Sequence, residues 1–424
     1  MAVGALAVAG LCLDPGLTAF QTAGAPGFSE TFQPTRDHRA IQYTARAAAD
    51  PISRLNQRIS NGQIHLRFEP DSGYLRSLVA ALDVPIESQV AVFSRTSLQE
   101  ARIRPDNPRV IFFNDSTIVS WPRGGFIEAA AIDPEQGAIF YTLQQRELGI
   151  PGLVRNDTCL SCHVSSATLG VPGLAVASVV PASDGLVSTA PFKITDHRSP
   201  LAERFGGWYV TGTRIPMAHM GNLVATDPSN PTLTPTSDSI ELHSLSTKFD
   251  TRGYPSTHSD IVALLVLDHQ VRMIDLMTRF AWEVRVALAR DPAGDGALGR
   301  DLTNWARELV DYLLFIDEAA LAGGGIQGAS GFAEKFASAG PRDRQGRSLR
   351  DLDLQQRLLR YPCSYLIYSE QFDHLPTLAR DAIYTRIRQV LLGEEKEPKY
   401  SRLSPADRRA IVEILRDTKK GLGF

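Results

Sequence analysis

Between residues 88 and 213 the chain alternates short apolar or β-branched runs with turn residues. The runs at 91–93, 110–113, 117–121, 126–132 and 138–143 have the length and composition of strands. They are separated by Asn114-Asp115, by Arg123-Gly124-Gly125 and by Asp133-Pro134-Glu135-Gln136-Gly137, connections short enough for hairpins. The pattern predicts an antiparallel sheet. Runs at 174–180 and 208–213 are two further strand candidates.

The period changes further along. Residues 224–257 are polar and rich in Pro, Ser and Thr, as a long loop or linker would be. Beyond them, 260–290 keeps a broad apolar face. Leu302, Trp305, Leu309, Leu313, Ile316 and Ala320 step by threes and fours like a buried helical stripe. Two more helices are expected over 378–392 and 405–419, the second opening with Ser404 as N-cap ahead of Pro405. The glycine-rich stretch 323–331 has no following Lys-Ser/Thr and reads as a loop, not a phosphate cradle.

These patterns give an α+β chain with an antiparallel, β-rich domain over 88–222, a polar linker over 223–256 and an all-helical C-terminal domain over 257–424. A helical or irregular segment fills 26–87. Residues 1–25 read as a signal peptide: 1–13 are almost wholly apolar and small, the run breaks at Asp14-Pro15-Gly16, and Ala19 and Ala25 suit a signal peptidase. The segment lacks a positive n-region. The remaining apolar runs are too short to span a bilayer, so the mature chain is expected to carry no transmembrane helix.

Composition narrows the function classes. Hydrophobic residues make up 43% and charged residues 21%, as in an ordinary globular protein with sizeable cores. With a formal net charge of -3 and no basic stripe, nucleic acid has no electrostatic footing as a partner.

The one strong chemical signal is Cys159-Leu160-Ser161-Cys162-His163, a C-x-x-C-H sequence with the spacing of c-type haem attachment. Thiols three positions apart on a helical turn can each bond a haem vinyl group, and the next residue brings an imidazole to the iron. Half of a zinc site and a dithiol redox pair use the same C-x-x-C and stay open. Against zinc, the other cysteines, Cys12 and Cys363, are far away in sequence and unaccompanied. Cys363 reads as a buried small hydrophobe.

For the iron's other side the candidate ligand is Met220, with His219 and Met217 as alternatives in the same segment. His197 could serve a distal pocket or a loop ion-pair cluster. His258 and His269 would lie near one face of a helix about 16 Å apart, too far to share a metal.

At Cys159–His163 the chain resembles c-type cytochromes. That resemblance implies thioether attachment by Cys159 and Cys162 and iron ligation by His163, with one haem c per chain. The strings 206–213, 219–222, 258–270 and 364–376 resemble those of an uncharacterised family of exported bacterial proteins with a single such motif. The expectation is a periplasmic or secreted monohaem cytochrome passing single electrons to an unidentified redox partner protein. The alternative is a peroxidase-like haem enzyme or a haem-based small-molecule sensor with an open or labile sixth position.

Overall fold

The computed structural model describes residues 36–147, 149–226, 233–235, 241–291, 297–321 and 323–423. The proposed signal peptide and Cys12 lie outside the described residues. Four consecutive hairpin-linked strands form the centre of the fold: β2 (Arg109–Phe113), β3 (Thr117–Pro122), β4 (Ile127–Asp133) and β5 (Gly137–Leu143). All pair antiparallel. Their turns are closed by side chains of the residues that marked them in the sequence. Asn114 Oδ1 accepts from the backbone N–H of Ser116 and Thr117, and Asp133 Oδ1 accepts from those of Glu135 and Gln136.

The meander is extended at both edges. β1 (Val90–Val92) and β9 (Trp208–Tyr209) add to one side and β6 (Val154–Arg155) to the other, giving the order β6-β5-β4-β3-β2-β1-β9. A separate hairpin, β7 (Val176–Pro181) with β8 (Val187–Thr195), lies against β9 through the indole N–H of Trp208, which donates to Ala177 O at 2.8 Å. Because both faces of the sheet are covered, β4 and β5 are buried at almost every position instead of alternately. On one face, α1 (Pro51–Ser60) is capped by Asp50, whose other carboxylate oxygen accepts from the Tyr141 hydroxyl at 2.6 Å. A short α2 (Leu75–Ala81) follows it in the chain.

The longest element after the sheet is α4 (Ile261–Arg290), a 30-residue helix buried over most of its length. The turn α3 (Leu160–His163) precedes it in the chain. Asp260 caps α4 by accepting from Val262 and Ala263, and its second oxygen accepts from Ala329 and Ser330. Against α4 pack α5 (Ala297–Leu313), α6 (Phe332–Ser338), α7 (Glu370–Asp373) and α8 (Thr377–Leu391), and α9 (Pro405–Thr418) packs on α8. Ser404 and Asp407 form the capping box that opens α9. A mainly antiparallel seven-stranded sheet with a helical C-terminal region makes the chain α+β. Among the described residues no helix is long and apolar enough to cross a membrane. Most of the buried hydrophobic residues, from Ile41 to Leu422, form one continuous cluster, so sheet and helices share a core.

Several local expectations change. β9 is only two residues long, because Thr211 leaves the sheet to bridge with Asp260, and Arg214 with Gln327. The apolar stripe of α5 stops at Leu313: Phe315 takes φ 55°, which ends the helix and removes Ile316 and Ala320 from it. His258 precedes the Asp260 cap, so it shares no helix with His269. β6 and β8 carry no clear strand signal in the sequence. The described part of the 223–256 stretch is tied to the sheet, since Gln89 Nε2 donates to the carbonyls of Ser256 and His258 at 2.9 and 2.7 Å.

Candidate functional site

The C-x-x-C-H residues form a tight helical turn at the β6 edge of the sheet. Asn156 starts it: its backbone N–H donates to Phe140 O at 2.9 Å, and its side chain accepts from Thr158 N at 3.1 Å. A 3-10 turn over Asp157–Cys159 runs directly into α3. Leu160 is buried and anchors the turn to the core. Cys159 is buried, Cys162 is exposed, and neither is in a disulfide.

His163 is oriented from two sides. Its Nδ1 lies 2.9 Å from Gly173 O, a distance that requires Nδ1–H to donate, and its ring tilts against Phe140 with centroids 4.7 Å apart. The other nitrogen, Nε2, makes no hydrogen bond among the described residues. Burial pushes the His163 pKa below the ordinary histidine range, although the Gly173 bond opposes that shift, so the ring is neutral. A neutral imidazole with Nδ1–H donated to a backbone carbonyl presents its Nε2 lone pair as a metal ligand does.

The loop that supplies Gly173 O is held by α4. Asp275 Oδ1 accepts from Leu174 N at 3.1 Å, and Arg279 Nη1 donates to Leu169 O at 2.6 Å. A side chain at Gly173 would run into the Asp275 carboxylate, so the close approach of loop and helix needs glycine there. Burial, with the negative charge of Glu128 adding to it, raises the Cys159 thiol to about 11, so it is a thiol at neutral pH.

Among the described residues no group of three or more His, Cys, Asp or Glu side chains converges as a closed metal site would need. The turn presents two free sulfurs and one lone-pair nitrogen instead. That set fits a macrocycle held by carbon–sulfur bonds whose iron takes one nitrogen from the protein.

The segment that carries the three distal candidates is held at the opposite end of the sheet order from this turn. Met220 N donates to Arg204 O at 2.9 Å, Asn222 N donates to Trp208 O at 2.8 Å, and Met217 lies beside Gly323. The segment therefore runs beside β9, whereas His163 packs on Phe140 of β5, with β4, β3, β2 and β1 between them in the sheet order. His219 is buried, with its Nδ1 accepting from Gly221 N at 3.1 Å.

A second polar cluster escaped sequence reasoning. His197 and His269, 72 residues apart, meet Nδ1 to Nδ1 at 2.7 Å, and His269 Nε2 lies 2.8 Å from Ser364 Oγ. Both rings are buried and stack on Phe315, with centroids 4.4 Å away in each case. Arg198 pairs with Asp196 next door, as a loop ion pair would. Nothing in the linear spacing links His197 to His269. Nor does anything mark Gly173 as the partner of His163. Comparison with family models, with characterised proteins and with solved structures finds no match.

Proposed function

We propose that this chain is a monohaem c-type cytochrome, with haem c bonded through Cys159 and Cys162 and its iron ligated by His163. The observation that carries the proposal is the His163 Nδ1–Gly173 O bond, which leaves Nε2 as the donor nitrogen on a turn that also bears both thiols. Haem, when bound, supplies a one-electron ferric/ferrous couple. The protein's part is to fix the imidazole tautomer through Gly173, hold the turn on β5 through Asn156 and keep the Cys159 side of the turn dry.

Single-electron transfer to a redox partner protein is the function this arrangement supports best. Covalent attachment and a preset ligand keep the group in place through both oxidation states and demand no substrate pocket. The apolar, small-residue stretch at 1–13 supports export to the periplasm or beyond, where c-type haem is joined to thiols in bacteria.

A second reading is favoured by one observation. The segment bearing Met217, His219 and Met220 is held beside β9 by Met220 N–Arg204 O and Asn222 N–Trp208 O, and if it stays there an external ligand would take the place opposite His163, as in a haem sensor or a peroxidase-like enzyme. Absorption spectra of the reduced protein with and without carbon monoxide separate the two. An electron carrier with two protein ligands gives spectra that the gas leaves unchanged. Immediate carbon monoxide binding would move the assignment to the sensor or enzyme.

A further inference from the structure

The Arg109 side chain is mostly buried, and its guanidinium makes no hydrogen bond within normal range among the described residues. Its nearest charged partner is Glu128, with Nη1 3.8 Å from Oε2, beyond hydrogen-bond range, and its Nε is buried without a partner. A guanidinium presents several N–H donors in a rigid fork, and burying them unsatisfied is costly. Such a group is normally found with carboxylate or phosphate oxygens on its fork.

Arg109 also stands on the right side of the sheet. Glu128 pairs with Thr142 and with Ser120, and Ser120 pairs with Ile111. Strand alternation then puts Arg109, Glu128 and Phe140 on one face. That is the face against which His163 packs, through Phe140. The charges of Arg109 and Glu128 both act on His163, and that of Glu128 acts on Cys159 as well. Glu128 is itself engaged with Ser97, whose hydroxyl donates to Oε2 at 3.3 Å.

We propose that Arg109 is a cofactor-binding residue whose guanidinium takes a carboxylate of the haem, one of its two propionates, against the sheet face beside His163. This rests on the haem reading above. Glu128 is then a neighbour that aims the guanidinium, not its sole counter-ion. The occupant must be anionic, planar and close to the His163 imidazole. A propionate carboxylate is all three, and it is ionised at neutral pH.

The test uses the haem-bearing holoprotein and its Arg109→Gln and Arg109→Lys variants. In Arg109→Gln the haem stays covalently bound, and loss of a nearby positive charge shifts the ferric/ferrous equilibrium about tenfold toward ferric, a fall of about 59 mV in midpoint potential. Redox-induced infrared difference spectra with haem carbon-13-labelled at the propionates should show the carboxylate band moved in Arg109→Gln. Arg109→Lys, which keeps the charge but loses the fork, should move the band and leave most of the potential. If Arg109→Gln fails to fold, the infrared shift in Arg109→Lys carries the test. An unchanged carboxylate band in the folded variants overturns the inference, even if the potential shifts, because the charge would then act only at a distance. Failure of the haem reading looks different: the unmutated protein itself would be colourless, and the inference would fall with it.

Discussion

His163 and Gly173 bond to each other twice: Gly173 N donates to His163 O at 3.0 Å, and His163 Nδ1 lies 2.9 Å from Gly173 O. The pair closes the loop that follows the helical turn and sets the imidazole in one tautomer. Loop and ligand are therefore one unit, held from behind by Asp275 and Arg279 of α4.

Gly173→Ala should damage that unit. The new Cβ meets the Asp275 carboxylate, so the loop must shift, at a cost of about 1–3 kcal/mol for overpacking a filled site. Thermal unfolding should show the loss. With haem bound, weakening the Nδ1–H bond makes His163 a less basic ligand, and the midpoint potential should rise. Wild-type stability and potential in the variant would show that the close approach has no consequence.

Met220→Ala, Met217→Ala and His219→Ala should each leave the ferric and ferrous absorption spectra unchanged while covalent haem remains. The reason is the placement of the segment along β9. A weak band near about 695 nm, the mark of a sulfur–iron bond, lost only in Met220→Ala would show that the segment does reach the iron.

The His197–His269 contact predicts a pH dependence of stability. One Nδ1 must donate to the other, and His197 Nε2 is buried without a partner. The least costly arrangement has His197 Nδ1–H donating to His269, whose Nε2–H donates to Ser364. Burial lowers His269 to about 3, and burial together with the His269 charge lowers His197 well below the ordinary value. The unfolded histidines titrate near 6.5 and so bind protons that the folded ones refuse. Their contribution is fully present above pH 6.5 and is lost as pH falls toward 3, by about 1.4 kcal/mol per pH unit for each ring. Asp268, raised to about 7 by burial, works the other way, since its contribution is lost as pH rises through 7. The readout is therefore a difference: the unfolding free energy of the wild type should fall faster between pH 6.5 and 4 than that of His197→Asn/His269→Gln. Parallel curves would contradict the assignment.

The sheet was largely legible in the sequence because its signals are local. The strands β2 to β5 are apolar runs bounded by Asn114-Asp115 and Asp133-Pro134, and the same residues close the turns in space. Ser404 and Pro405 marked the start of α9 for the same reason. What escaped was set by tertiary packing. β6 exists because its two residues find β5, Phe315 ends α5 against the run of its own stripe, and β9 is cut short by Asp260. At the site, the Cys159, Cys162 and His163 set was readable from spacing alone. Gly173, Arg109 and the His197–His269 pair were not, because each matters only through a partner far away in the chain.

The most direct measurement is the fate of the haem on denaturation. The protein should be expressed in a host that exports it and attaches haem, then run on a denaturing gel stained for haem peroxidase activity. Thioether bonds survive denaturant, so the band of the unmutated chain should stain, and Cys159→Ala/Cys162→Ala should not stain at equal protein loading. A colourless, unstained wild-type chain from that host would contradict the account.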